Sequence, residues 1–197
     1  MSKFTNSPQK DAERLLRDAG AILHGHFLLS SGMHSDTYVE KFELIQRPVI
    51  TVELCAGIAE RYRGAGIQTV AGPTTGGAIL AFEVARQLGV RSIIAERTED
   101  GGREFRRGFR LDSGERVLVV DDVMTSGGAV RQTVSAVESR DALVVGAGLL
   151  VDRSGGCADA GTQYWAALTV DSPAFNPHKC PQCAQGLALT QRGTTPR

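Results

Sequence analysis

One stretch limits the choice of fold more than any other: residues 116–130, RVLVVDDVMTSGGAV. Val117 to Val120 run without a polar interruption, which suits a strand buried on both faces of a parallel sheet; a half-exposed strand would alternate. The run leads into Asp121 and Asp122, then a small-residue turn at Thr125, Ser126, Gly127 and Gly128, then a helical pattern to about Arg140. Open α/β sheets bind ligands at the carboxyl ends of their strands. Hydroxyls and unobstructed amides at a helix start favour an anion there. Two carboxylates directly before an anion site would repel that anion, unless they grip the hydroxyls, or the metal, of the same ligand. A nucleotide-hydrolase reading of the acidic strand needs a companion G-x-x-x-x-G-K-[ST] loop, and the chain has none; G-x-G-x-x-G after a predicted strand is also absent.

The remaining pattern extends this unit into a sheet. Ser7 and Pro8 open a helix with Ala12, Leu15, Leu16 and Ala19 at helical spacing. Residues 26–32 and 35–46 have the content of two short strands around a Ser-Gly turn, and Pro48 opens a helix to about Arg63. Strand and helix then alternate: strand 68–71, the glycine-rich turn GPTTGG at 72–77, helix 78–88, strand 91–96, the acidic strand and its helix, and strands 142–151 and 163–170. Such alternation marks a parallel sheet with right-handed crossovers. Residues 97–113 carry five arginines and few apolar side chains, a loop long enough to suggest function. The tail is punctuated by proline and glycine, and its final residues are expected to be mobile.

With 197 residues the prior is one domain, and 42% hydrophobic and 22% charged residues are ordinary soluble values. Acids and bases cancel at 22 each, which gives no global argument for nucleic acid or a membrane. The polar amino terminus and the lack of any membrane-length apolar run lead to a cytoplasmic expectation. Arginine outnumbers lysine 18 to 4, and arginine binds phosphate bidentately.

The apolar run, the Asp-Asp pair, the threonine and the small-residue loop together resemble the signature of the type I phosphoribosyltransferases. Three turns, GPTTGG, the arginine loop and DDVMTSGG, should meet on one rim. They suit a ligand with two phosphate groups separated by a sugar, 5-phospho-α-ribosyl diphosphate (PRPP). GPTTGG alone reads equally well as a structural turn. GHFLLSSGMHSDTYVEKF, AERTEDGGREFRRGF, VDRSGG and the terminal CPQC and QRGTTPR segments, with the two turns, resemble the bacterial orotate phosphoribosyltransferases over nearly the whole chain.

That resemblance implies an α/β fold with a central parallel sheet flanked by helices and a small N-terminal hood. It implies one domain over 1–197, with about 20–46 in the base-binding hood and 171–197 as a C-terminal tail. The implied reaction is transfer of the phosphoribosyl group to orotate, giving orotidine 5'-monophosphate and pyrophosphate. It implies Mg2+ held mainly by PRPP and water near Asp121 and Asp122, and a homodimer whose mobile loop reaches the partner site. By position it assigns Asp121 and Asp122 to the ribose. It assigns Thr125, Ser126, Gly127, Gly128 and Ala129 to the phosphate, and Thr74, Thr75 and Gly76 to the diphosphate. Arg97, Arg103, Arg106 and Arg107 would supply positive charge over the diphosphate, with Arg103 placed alongside the two acids as catalytic. Thr125, Arg153, Ser31 and Tyr38 fall to orotate, with Ser30, Gly32 and His34 in the same pocket segment. An ordinary surface salt bridge is the alternative for Arg153, and His34 reads as a structural histidine.

The chain departs from the family pattern in three places. The arginine loop lacks lysine and histidine, Met33 stands where an arginine is common, and GPTTGG has no lysine. His178, Cys180 and Cys183 form half a zinc-like set; Cys55, Cys157 or a neighbouring subunit would have to complete it, and a structural turn without metal is the expectation. A purine or uracil phosphoribosyltransferase, or a PRPP-sensing regulator without catalysis, remain the alternatives.

Overall fold

The structure, a computed structural model, describes residues 8–29, 31–170 and 172–192. In chain order these form α1 (Pro8–Asp18), β1 (Ile22–Leu28), β2 (His34–Val39), α2 (Lys41–Ile45), α3 (Pro48–Tyr62), β3 (Thr69–Pro73), α4 (Gly76–Leu88), β4 (Arg91–Arg97) and β5 (Arg103–Phe105). There follow β6 (Arg116–Met124), α5 (Gly128–Glu138), β7 (Leu143–Asp152), β8 (Tyr164–Thr169), a 3-10 turn (Pro177–Lys179), α6 (Pro181–Ala184) and β9 (Thr190–Gln191). The main sheet has the order β5-β4-β3-β6-β7-β8, parallel throughout except where β5 returns antiparallel along β4.

The unbroken apolar run of β6 sits at the middle of this sheet because both faces are covered. Leu118 and Val120 join Leu54 and Ile58 of α3 and Leu80 and Val84 of α4 in one core. Val117 and Val119 join Val130, Val134 and Val137 of α5 in the other. All four β6 residues are fully buried, and each such side chain stabilises the fold by roughly 1.5–3 kcal/mol relative to exposure.

A second, three-stranded sheet has the order β2-β1-β9. β1 and β2 are antiparallel, with a register shift between His24 and Phe27. The tail closes this small sheet: β9 runs parallel to β1, and the backbones of Phe175 and His34 exchange hydrogen bonds of 2.7 and 2.8 Å. The expected mobility of the final residues falls on 193–197, outside the described residues.

Three sequence expectations need correction. The strand expected over 35–46 ends at Val39, and Lys41–Ile45 is a helical turn. Its Leu44 is fully buried, and the Thr51 hydroxyl donates to the Leu44 carbonyl at 2.7 Å, tying α2 to α3. The arginine loop contains strand β5, because Phe105 has a place in the α5-side core. The acids stand within β6, short of its end: the register with β7 continues through Asp121 opposite Leu149 to Met124 opposite Asp152. Among the described residues no helix is long and apolar enough to cross a membrane.

Candidate active site

Asp121 and Asp122 are both buried, at 7% and 3% exposure. The Asp122 amide donates to Asp121 Oδ1 at 2.9 Å, and the Val123 amide donates to Asp122 Oδ1 at 2.6 Å. Asp122 Oδ2 has no hydrogen-bond partner among the described residues, although Lys41 Nζ forms an ion pair with it at 3.1 Å. Burial, and next the Asp122 carboxylate, push the Asp121 pKa up to about 7, against the opposing pull of Lys41 and Arg103. Asp121 therefore has reason to hold a proton until hydroxyls or a cation arrive.

Gly76 and Gly77, at the start of α4, lie directly against these acids. A Cβ on Gly76 would fall inside the Asp122 carboxylate, and one on Gly77 would stand 2.9 Å from Asp121 Oδ1. Absence of a side chain is thus what allows the GPTTGG turn and the acidic strand to meet. Thr74 and Thr75 are exposed beside them, joined by a cis peptide bond. The second turn has Thr125 and Ser126 exposed, and Gly127 caps α5 at φ 85° with no side-chain hydrogen bond to the first helical amides. Those amides, of Gly128 and Ala129, make an anion cradle after the strand that carries the acids.

The arginine loop divides. Arg103 is half-buried, donates to the Ala95 carbonyl at 3.1 Å and has a buried Nε without a hydrogen-bond partner among the described residues. Burial lowers its pKa, and the Asp121 carboxylate opposes that shift, so this guanidinium stands in the field of the acids. Arg97 pairs with it in register and is exposed. Arg106 is exposed and ion-paired with Glu104, while Arg107 donates to Glu96 at 2.6 Å. In this arrangement Arg106 is engaged within the loop and Arg107 with β4, and neither has a described contact with Asp121 or Asp122.

Arg153 follows β7 where Thr125 follows β6, and its amide donates to the Met124 carbonyl at 2.8 Å. Its guanidinium lies 5.7 Å from the Tyr38 ring centroid, and Nη2 approaches Ser172 Oγ at 3.3 Å and the Thr37 carbonyl at 3.4 Å. Its Nε is buried and has no hydrogen-bond partner among the described residues. The surface salt-bridge reading of Arg153 has no counterpart: none of its described contacts is a carboxylate. Ser31 is exposed and meets the Met33 amide at 3.4 Å, and Ser30 lies outside the described residues.

Sequence reasoning passed over two residues here. Lys41, on the unexpected helix α2, reaches Asp122, and its signal was scarcity, since it is one of 4 lysines. Asp152, fully buried, accepts from the Ser154 amide at 2.8 Å, from the Gly156 amide at 3.0 Å and from the Tyr164 hydroxyl at 3.0 Å. It shapes the DRSGG turn that carries Arg153. A concavity lined by Gln68, Arg91, Asp112 and Glu115 lies at the opposite end of the strands, away from all these groups.

Residues 49–171 match the model of a family described as phosphoribosyl transferase domain. An orotate phosphoribosyltransferase of Desulforamulus reducens is 47% identical over 89% of this chain and 91% of that protein. One of Pelotomaculum thermopropionicum is 46% identical over 91% and 94%. The crystal structure of orotate phosphoribosyltransferase from Aeropyrum pernix superposes with a TM-score of 0.67 at 26% identity, covering 80% of this chain and 92% of that one.

Proposed function

Since the chain belongs to the phosphoribosyl transferase domain family, among the orotate phosphoribosyltransferases, we propose that the strand-end site carries out that family's reaction with the residues described above. The enzyme transfers the phosphoribosyl group of PRPP to orotate, giving orotidine 5'-monophosphate and pyrophosphate, a step of pyrimidine synthesis. The observation that carries the assignment of parts is the adjacency of Arg153 and Thr125 at paired ends of β7 and β6. One strand end offers a cradle for the sugar phosphate. The next offers a guanidinium with free donors, suited to the planar carboxylate of orotate.

In this reading Thr125 to Ala129 hold the 5-phosphate, and Asp121 and Asp122 hold the ribose hydroxyls. Thr74, Thr75 and Gly76 hold the diphosphate by hydroxyls and backbone. A ring nitrogen of orotate attacks the anomeric carbon as the bond to the diphosphate oxygen breaks, its proton passing to the departing diphosphate or to water, and positive charge builds on the sugar while negative charge builds on the leaving group. Buried carboxylates beside the ribose stabilise the first charge, and Arg103 stabilises the second, a preorganised electrostatic effect typically worth ~3 kcal/mol per group. The buried Asp122 Oδ2 beside Asp121, ion-paired with Lys41 but without a hydrogen-bond donor among the described residues, fits Mg2+ held through water as well as it fits hydroxyls. When bound with PRPP, that ion screens the diphosphate.

The reading includes a cytoplasmic homodimer, since both substrates are charged metabolites that do not cross membranes unaided. For the dimer the support is Phe42, Val49, Val52, Ile79 and Phe82, exposed apolar side chains on the mutually packed helices α2, α3 and α4. The far part of the arginine loop of one copy, with Arg106 and Arg107, would then reach the other's site, while Arg103 stays beside the acids of its own chain.

The test is to mix purified protein, magnesium and PRPP with orotate, uracil, adenine, guanine or hypoxanthine in turn and to identify the nucleotide formed. Orotidine monophosphate is expected. Product from a purine or uracil alone would overturn the acceptor, and no turnover with salt-sensitive RNA binding would overturn catalysis.

A further inference from the structure

Four side chains outside the catalytic rim converge where the tail meets the small sheet. His26 lies on β1, His34 at the start of β2, Cys180 before α6 and Cys183 within it. Their ligand atoms all lie within 4.8 Å of one another. His26 Nε2 stands 2.9 Å from His34 Nδ1, 3.5 Å from Cys180 Sγ and 3.6 Å from Cys183 Sγ; Cys183 Sγ is 3.3 Å from His34 Nδ1. A tetrahedral zinc ion with bonds of about 2.0–2.1 Å to nitrogen and about 2.3 Å to sulfur requires ligand separations of roughly 3.3–3.8 Å. Three of these four separations fall in that range, and the fourth, between the two histidine nitrogens at 2.9 Å, is short of it.

We propose that His26, His34, Cys180 and Cys183 bind one structural Zn2+ that fastens the C-terminal tail to the small sheet. His26, His34 and Cys180 are buried, at 4%, 6% and 3% exposure, and Cys183 closes the cluster from the solvent side. The second nitrogen of His26, Nδ1, lies 2.8 Å from the Leu187 carbonyl. Donation there fixes the tautomer that leaves the Nε2 lone pair free for a metal, the usual outer-sphere arrangement for a ligating histidine. Gln182, 3.2 Å from Cys180 Sγ, can turn its amide to donate to a thiolate. The register shift between His24 and Phe27 also gains a purpose, because it lets consecutive residues His26 and Phe27 both be buried. Two nitrogens and two sulfurs favour zinc, and four protein ligands leave no open position, so the ion holds structure and performs no chemistry.

The proposal departs from the sequence expectation of a metal-free turn in the tail, and the structure leaves His178 out of the cluster. The C-x-x-C pair is completed by two hood histidines; Cys55 and Cys157 take no part, and His178 is exposed, its amide donating to Asn176 Oδ1 at 3.0 Å. The consequence is mechanical. Ser35, next to His34, meets Ser172 at 3.0 Å, and Ser172 contacts Arg153, so the clamp ends close to the acceptor arginine.

The site stands independently of the substrate assignment, and so does its test. Protein expressed in zinc-supplemented medium and purified without chelator should contain about one zinc per chain by elemental mass spectrometry. Cys180→Ser and Cys183→Ser should each reduce that at least fivefold. Metal-stripped wild type titrated with Co2+ should show the intense visible bands of a tetrahedral thiolate site, a readout that needs no variant to fold. Less than a tenth of an equivalent of zinc with no such cobalt spectrum would overturn the proposal. So would full zinc retention in both variants, or a Cys180–Cys183 disulfide in protein purified under reducing conditions.

Discussion

The two sides of the candidate site are built in different ways. The donor side consists of turns at the carboxyl ends of β3 and β6, adjacent central strands with helices packed on both faces. Its acids and glycines are in direct van der Waals contact. The acceptor side hangs on a three-stranded sheet that a two-residue strand completes, and Arg153 is held by contacts of 3.3 and 3.4 Å to the hood and tail. The difference teaches where a shared chemistry and a particular specificity can reside. Groups that must not move are embedded in the core, whereas Arg153, itself at the end of β7, is oriented by contacts from a separate layer that can vary without disturbing that core.

The largest effect should come from the donor side. Asp121→Asn combined with Asp122→Asn should keep the circular dichroism spectrum and lower kcat by about 10²–10³-fold, the usual scale for loss of a preorganised charge at the reacting centre. Turnover unchanged within threefold would remove the acids from the mechanism and with them the contrast between the two sides. Arg153→Ala should act on the other side only. The KM for orotate should rise about ten- to a hundredfold, as expected when a charge-assisted hydrogen-bonding group is lost, while the Kd for PRPP measured by calorimetry stays within threefold. A defect in PRPP binding of equal size would merge the two sides into one.

The smallest effect is on stability. Asp121 keeps its proton up to about 7 in the folded chain, whereas an unfolded aspartate releases it near 4. Between those values the folded state binds more protons at this group than the unfolded state, so the contribution of Asp121 to stability falls as pH rises from about 4 to about 7 and is level above that. Asp121→Asn lacks this loss. The melting temperature of the variant should therefore gain on that of wild type across that window, by a few degrees. A gap that does not change with pH would show that Asp121 is ionised throughout.

Much of the donor side was legible in the chain because it is local. Val117–Val120, the two acids and the small-residue turn occupy consecutive positions, and strand and helix alternate around them at periods that single-sequence patterns report. The extension of β6 through the acids was not legible, since two adjacent aspartates read as a turn until the register with β7 is known. β5 was hidden because Phe105 alone does not mark a strand. The acceptor side was harder still. Its partners are far apart in sequence: His26 and Cys180 are separated by 154 residues, and a lone histidine carries no signal of what folds against it. Lys41 was missed for a related reason: the helix that aims it forms only because Leu44 finds a cavity in the core.

The contact of Gly76 with Asp122 reaches beyond the reaction. A methyl group at position 76 would occupy the space of the carboxylate, so the two positions constrain each other's permissible substitutions. In evolutionary terms this is epistasis by exclusion. Gly76→Ala should be deleterious on the wild-type background and close to neutral for stability once Asp122 has been shortened to alanine. Lineages keeping the acid are thereby confined to glycine 46 positions upstream, a correlated pair that a single sequence shows only as two unrelated letters.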